Sequence, residues 1–148
     1  MGDERSREEQ IACAMQNQIV VAGALIAGDR LLVAQRARPP ELAGRWELPG
    51  GKVTPGETEA AALSRELAEE LGIEVFVGPR LAGDVALNDS TTLRAFRVTQ
   101  TCGGTAHAHD HRAVRWVAAA ELYRLDWVPA DRIWIPELTR LLTANSIG

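Results

Sequence analysis

Between Thr58 and Leu71 the chain carries no proline and no glycine, and Leu63, Leu67 and Leu71 recur every fourth residue. That spacing predicts a helix whose apolar stripe has to be buried against another element. Thr58 is suited to cap its N-terminus by accepting from a backbone N–H, and Gly72 to close it in a left-handed conformation. On the same helix Glu66, Glu69 and Glu70 stand three and four residues apart, so they converge on a second stripe flanking the leucines. An isolated helix could satisfy neither stripe. The leucines require a covering layer, and three crowded carboxylates require a counter-charge.

The rest of the chain supplies the covering layer. Ile19–Ile26 is a β-branched apolar run, Gly28-Asp29 is a turn, and Leu31–Ala34 starts a second run, which together predict a hairpin. Further strands are expected at Val75–Val77, Leu81–Leu87, Thr91–Thr99 and Val114–Val117, with a short helix over Ala118–Tyr123. Pro136 sits where a first helical turn tolerates it, ahead of Leu138, Leu141 and Leu142. At 148 residues the chain has the size of one domain. The predicted class is α/β: a mixed central sheet with a loop-helix on one side and a C-terminal helix on the other. Residues 1–16 are polar and weakly periodic, and are expected to form a mobile arm ahead of a domain spanning 17–148.

The helix belongs to a longer pattern. Gly51 is followed after five residues by Glu57, and after seven more by Arg65-Glu66-Leu67-Ala68-Glu69-Glu70-Leu71-Gly72-Ile73. This resembles the box that defines the Nudix hydrolases. The resemblance implies a Nudix α/β/α sandwich that hydrolyses nucleoside diphosphates linked to another group, with water attacking phosphorus. Carboxylate oxygens are hard ligands, so Mg²⁺ is the expected ion and Mn²⁺ its substitute. Gly51, Glu66, Glu69 and Glu70 are candidate ligands, Gly51 through its backbone carbonyl. Glu69 is either a ligand or the base for water. The resemblance gives Arg65 a structural bond to Glu57, tying loop to helix. Crowding is expected to raise at least one carboxyl pKa without metal, so metal binding should improve toward alkaline pH. A solvated acidic helix face is the plain alternative for any one of these glutamates, and does not account for the whole pattern.

From about Ile19 to Leu142 the chain is similar to the MutT-type branch, which converts nucleoside triphosphates to monophosphate and pyrophosphate. Within it, Val33-Ala34-Gln35-Arg36, the stretch Pro39–Gly51 and Asp126-Trp127-Val128-Pro129-Ala130-Asp131 most resemble actinobacterial CTP pyrophosphohydrolases. That likeness implies that Arg36 contacts the nucleotide and that Glu47 lies near sugar and metal. Asp110, six residues before Trp116, takes the place of a mobile-loop glutamate that assists metal or water. It is one methylene shorter. Asp131 stands where the oxidised-guanine-cleaning enzymes carry asparagine. An ionised aspartate only accepts hydrogen bonds, which suits the cytosine N4 amino group and opposes the 6-carbonyl of 8-oxoguanine. CTP, dCTP and 5-methyl-dCTP are therefore expected to be preferred over 8-oxo-dGTP. Trp46 and Trp127 are candidates for a wall against the base or for core. Structural alternatives are a surface ion pair for Arg36, a plain loop residue at Asp110 and a turn-shaping role for Asp131.

Charge and cysteine usage narrow the partners. A net charge of -4 argues against a general grip on nucleic acid, leaving a small-molecule nucleotide as partner. No apolar run approaches a membrane span. Cys13 and Cys102 could form one bridge at most, which fits a reducing cytoplasm. His107, His109 and His111 alternate, but the adjoining Gly103-Gly104 reads as loop rather than a metal-binding strand. Oligomeric state is not legible. A nucleotide-sugar or dinucleotide pyrophosphatase is a second enzymatic reading, and a non-catalytic nucleotide sensor a third; the retained carboxylates oppose the sensor.

Overall fold

A computed structural model describes residues 18–147; the expected arm at 1–16 lies outside the described residues. Strand β1 (Gln18–Ala27) turns through Gly28 into β2 (Arg30–Gln35), forming the predicted hairpin. Strands β3 (Trp46–Glu47) and β4 (Gly50–Lys52) follow, then helix α1 (Glu59–Leu71). Next come β5 (Glu74–Arg80), β6 (Val85–Asn88), β7 (Thr91–Cys102) and β8 (Ala113–Ala118). Two 3-10 turns, Ala119–Glu121 and Pro129–Trp134, lead into helix α2 (Ile135–Ile147).

The sheet is mixed. β1 runs parallel to β7 from Gln18↔Thr91 to Leu25↔Val98, and antiparallel to β4 on its other edge. β2 pairs antiparallel with both β3 and β8, while β5 and β6 pair antiparallel with β7. Alternation along β1 divides the core. Val21 and Leu25 pack on the α1 side with Leu63, Leu67 and Leu71. Ala22, Ala24 and Ile26 pack on the other, beneath Trp134, Leu138 and Leu142. Each fully buried leucine removes apolar surface worth roughly 1.5–3 kcal/mol. Helix, sheet, helix is the sandwich expected.

Helix α1 has the predicted ends. Thr58 Oγ1 accepts from Ala61 N at 3.0 Å, and Gly72 adopts φ 69° while its N–H donates to Ala68 O. Two expectations shift. Leu81–Asp84 is not strand; Leu81 instead buries into the α2-side core, and strand begins at Val85. The turn at Pro129–Trp134 carries no periodic signal and was not predicted.

Candidate active site

The box loop and α1 are joined by Arg65. Its Nε donates to Glu57 Oε2 at 2.9 Å and its NH2 to Glu57 Oε1 at 2.7 Å, the fork-on-carboxylate geometry that only arginine supplies. The Glu57–Arg65 bond implied by the resemblance is thus present. Arg65, chiefly, with the Thr54 backbone N–H, holds the Glu57 carboxyl down at about 2. Arg65 also donates to Lys52 O (3.2 Å), Glu66 Oε1 (3.0 Å) and Glu69 Oε2 (3.3 Å).

The three stripe glutamates therefore differ in surroundings. Glu69 is 60% exposed at its side chain and leans on Arg65, whereas the Glu66 side chain is 17% exposed. Glu66 lies against Gly51: a Cβ built there would come within 2.3 Å of the Glu66 carboxyl carbon. Glu70 turns toward the interior, and its Oε2 is buried without a hydrogen-bond partner. Burial first, then the negative charges of Glu66, Glu47 and Asp110, push the Glu70 carboxyl up to about 8. Crowding, the cause expected from the sequence, thus adds to a rise at Glu70 that burial leads.

A cavity of about 850 Å³ opens beside these groups, within the usual range for small-molecule sites. Of the residues singled out in the sequence, Arg36, Glu47, Gly51, Glu70, Asp110 and Asp131 line it. Asp110 arrives on the loop between β7 and β8. That loop is tied to the end of α1 by His107 N donating to Leu71 O (2.9 Å) and His109 N donating to Glu70 O (3.2 Å), so it consumes carbonyls that a helix end leaves unpaired. The loop reading of the alternating histidines holds, and among the described residues no three His, Cys, Asp or Glu side chains form a ready metal cluster.

At the centre of the cavity wall Glu47 is held from two sides. Arg36 NH1 donates to its Oε1 at 2.9 Å, and His111 Nε2 lies 2.9 Å from its Oε2. Arg36 Nε further donates to Arg38 O at 2.9 Å. Asp131 is 3% exposed and is the sole charged or polar residue buried among the described residues. Its Oδ2 accepts from Leu48 N at 2.7 Å. Burial, opposed by the Leu48 N–H and reinforced by the Glu47 charge, pushes its carboxyl up to about 7. The buried carboxyl thus holds its proton more readily than a free aspartate, which bears on the expectation of an ionised, accept-only side chain.

Trp46 and Trp127 do not line the cavity. Trp127 is buried in the α2-side core with Nε1 donating to Leu122 O, and Trp46 packs half-buried against the same core. The apolar wall comes instead from Leu42, Leu48, Val85, Leu87 and Leu93. Arg38, Lys52 and His111 also line the cavity. Sequence reasoning passed over Arg38 and Lys52 although they adjoin recognised motifs, and dismissed His111 with its neighbours.

The donor set suits a hard divalent cation. Glu70 presents a buried oxygen without a partner, and the absence of a side chain at Gly51 keeps Glu66 against the loop backbone. Fold and site together define the class: residues 17–138 match the NUDIX domain family, and the chain belongs to it as a Nudix hydrolase. Particular relatives sharpen the picture. The chain is 64% identical over 135 residues to the "Putative 8-oxo-dGTP diphosphatase 2" of Mycobacterium tuberculosis, covering 89% of this chain and 95% of that one. It is 40% identical over 116 residues to the CTP pyrophosphohydrolase of Escherichia coli, covering 76% and 85%. The solution structure of the E. coli ORF135 protein superposes with a TM-score of 0.70 at 34% identity, covering 91% of this chain and 95% of that one.

Proposed function

We propose that the protein is a Mg²⁺-dependent nucleoside triphosphate pyrophosphohydrolase that releases pyrophosphate and a nucleoside monophosphate, with Mn²⁺ able to substitute. Its preferred substrates are CTP, dCTP and 5-methyl-dCTP, with 8-oxo-dGTP weaker, in a nucleotide-pool sanitation role. The observation that carries this reading is the buried Asp131 carboxyl in the cavity that Glu70, Gly51 and Asp110 also line. One cavity thus offers a base-reading acceptor and a cation-holding acidic wall.

Glu66, Glu70 and the Gly51 carbonyl would hold the cation, with Asp110 assisting. When bound, Mg²⁺ neutralises phosphate charge and acidifies a water. Glu69, the most exposed of the three and held by Arg65, would serve either as a further ligand or as the base for water. Arg65 holds Glu57 and the helix in register. Arg36 and Glu47 would flank the sugar, and Asp131, with Oδ2 taken by Leu48 N–H, would read the base through its other oxygen. The names of the M. tuberculosis and E. coli relatives support both candidate bases.

Incubation with Mg²⁺ and a nucleotide panel tests the reading. Pyrophosphate with CMP or dCMP is expected. Sugar phosphate plus nucleotide from nucleotide sugars would replace it with the second enzymatic reading, and no turnover of any nucleotide would favour a sensor.

A further inference from the structure

We propose that His111 is a positioning residue for the reaction put forward above: by gripping Glu47 it fastens the β7–β8 loop, and Asp110 with it, over the acidic helix. The contact spans 64 residues of sequence and joins two walls of the cavity, His111 Nε2 to Glu47 Oε2 at 2.9 Å. A carboxylate oxygen accepts, so the proton of this bond sits on Nε2.

The loop needs such a fastening. From Gly103 to Arg112 the side chains are exposed except for Ala106 and His111, so apolar burial holds it weakly. Its backbone is tied at His107 and His109 to α1 and at Arg112 to Gln35 O, which leaves the Asp110–His111 step between the ties. Segments with few buried contacts open locally at low cost, and a hydrogen bond to a carboxylate in a shielded site resists that opening. The His111 side chain is 8% exposed and its Nδ1 is buried without a partner. Burying an unpaired ring nitrogen is unfavourable, so the Glu47 contact has to offset it.

Glu47 is the right place to fasten. Its charge acts on both Glu70 and Asp131, which puts it between the cation wall and the base-reading carboxyl. Arg36 holds one of its oxygens and His111 the other. Losing His111 frees one side of Glu47 and the loop at once.

Two amides separate the roles of the ring atoms. In His111→Gln the side-chain nitrogen falls where Nε2 was and can still reach Glu47. In His111→Asn it falls where Nδ1 was and cannot. Hydrogen exchange on the free protein is expected to quicken across residues 103–112 in His111→Asn and to stay near wild type in His111→Gln. Turnover of dCTP should follow: kcat/KM falls by about ten- to a hundredfold in His111→Asn, mainly in kcat, and is largely restored in His111→Gln. Equal behaviour of the two variants in both readouts overturns the proposal, as does unaltered loop exchange in His111→Asn. If the wild type cleaves no nucleotide, the proposed reaction falls, and the exchange contrast decides the latch by itself.

Discussion

Asp131 accepts from Leu48 N–H, and burial pushes its carboxyl up to about 7, with the Leu48 N–H opposing and the charges of Glu47 and Arg36 acting in opposite directions. Ionised, it can only accept, which suits the cytosine amino group. Protonated, it can also donate, which suits a carbonyl. The ratio of kcat/KM for dCTP over 8-oxo-dGTP should therefore fall as pH drops through 7, and steady-state assays across that range check it. Asp131→Asn keeps an acceptor for Leu48 N–H and turns an amide N–H toward the base at every pH. It is expected to shift the ratio by about tenfold to a hundredfold toward 8-oxo-dGTP, given roughly 1–3 kcal/mol for a mismatched buried polar contact, and to abolish the pH trend. A variant that retains the wild-type ratio would remove Asp131 from base recognition. Arg65 makes a separate residue-scale case. Lysine keeps its charge but cannot reproduce two parallel bonds to Glu57 while also reaching Lys52 O. Arg65→Lys should lower kcat at least tenfold with little change in melting temperature, because partly exposed ion pairs add about 0–1 kcal/mol.

At the scale of elements, α1 joins the energetics to the chemistry. Leu67 is fully buried, and Gly23 on β1 admits it: a Cβ at Gly23 would stand 3.1 Å from Leu67 Cδ1. Leu67→Ala is expected to cost about 2–5 kcal/mol by cavity formation. Gly23→Ala alone should crowd the same contact. In the double variant the new methyl partly fills the space left by leucine, so the sum of the single losses should exceed the combined loss by about 0.5 kcal/mol or more in urea melts. Strict additivity would place the two residues out of contact. This helix was legible because its period, caps and carboxylate spacing are all local. Strands β1, β2, β7 and β8 were legible for the same reason. The 3-10 turn at Pro129–Trp134 was not, since six residues without a repeating apolar step carry no period. Nor was the retreat of Leu81 from strand to core, because alternation does not say which apolar residue an approaching helix will claim. In the site, the helix glutamates stand out by their spacing and Asp131 only through the family resemblance, whereas the Glu47–His111 contact joins residues 64 apart and leaves no local trace. Trp127 went to the core because its indole N–H found Leu122 O there.

For the whole molecule, the raised carboxyls tie stability to pH, and the proposed metal site would tie it to the cation as well. Glu70 is raised from 4.5 to about 8, and Asp131 from 3.8 to about 7. Across those windows the folded chain holds protons that the unfolded chain has released, so stability declines as pH rises. Glu57 runs the opposite way, but its window lies between about 2 and 4.5, below the working range. A divalent cation bound at the proposed site would offset the Glu70 penalty, because it would bind the folded, deprotonated form and stabilise it by mass action. Melting temperatures in EDTA should accordingly fall between about pH 4.5 and about pH 8, while those in Mg²⁺ should fall less, so the gap between them widens across that range. Glu70→Gln removes the titrating group without removing its bulk. It should raise the EDTA melting temperature at the alkaline end, flatten the widening gap and lower turnover by at least a hundredfold. Thermal melts at constant ionic strength read the first two effects without any substrate. A gap that stays constant with pH in the wild type would mean that the proton on Glu70 and the cation do not compete for one site.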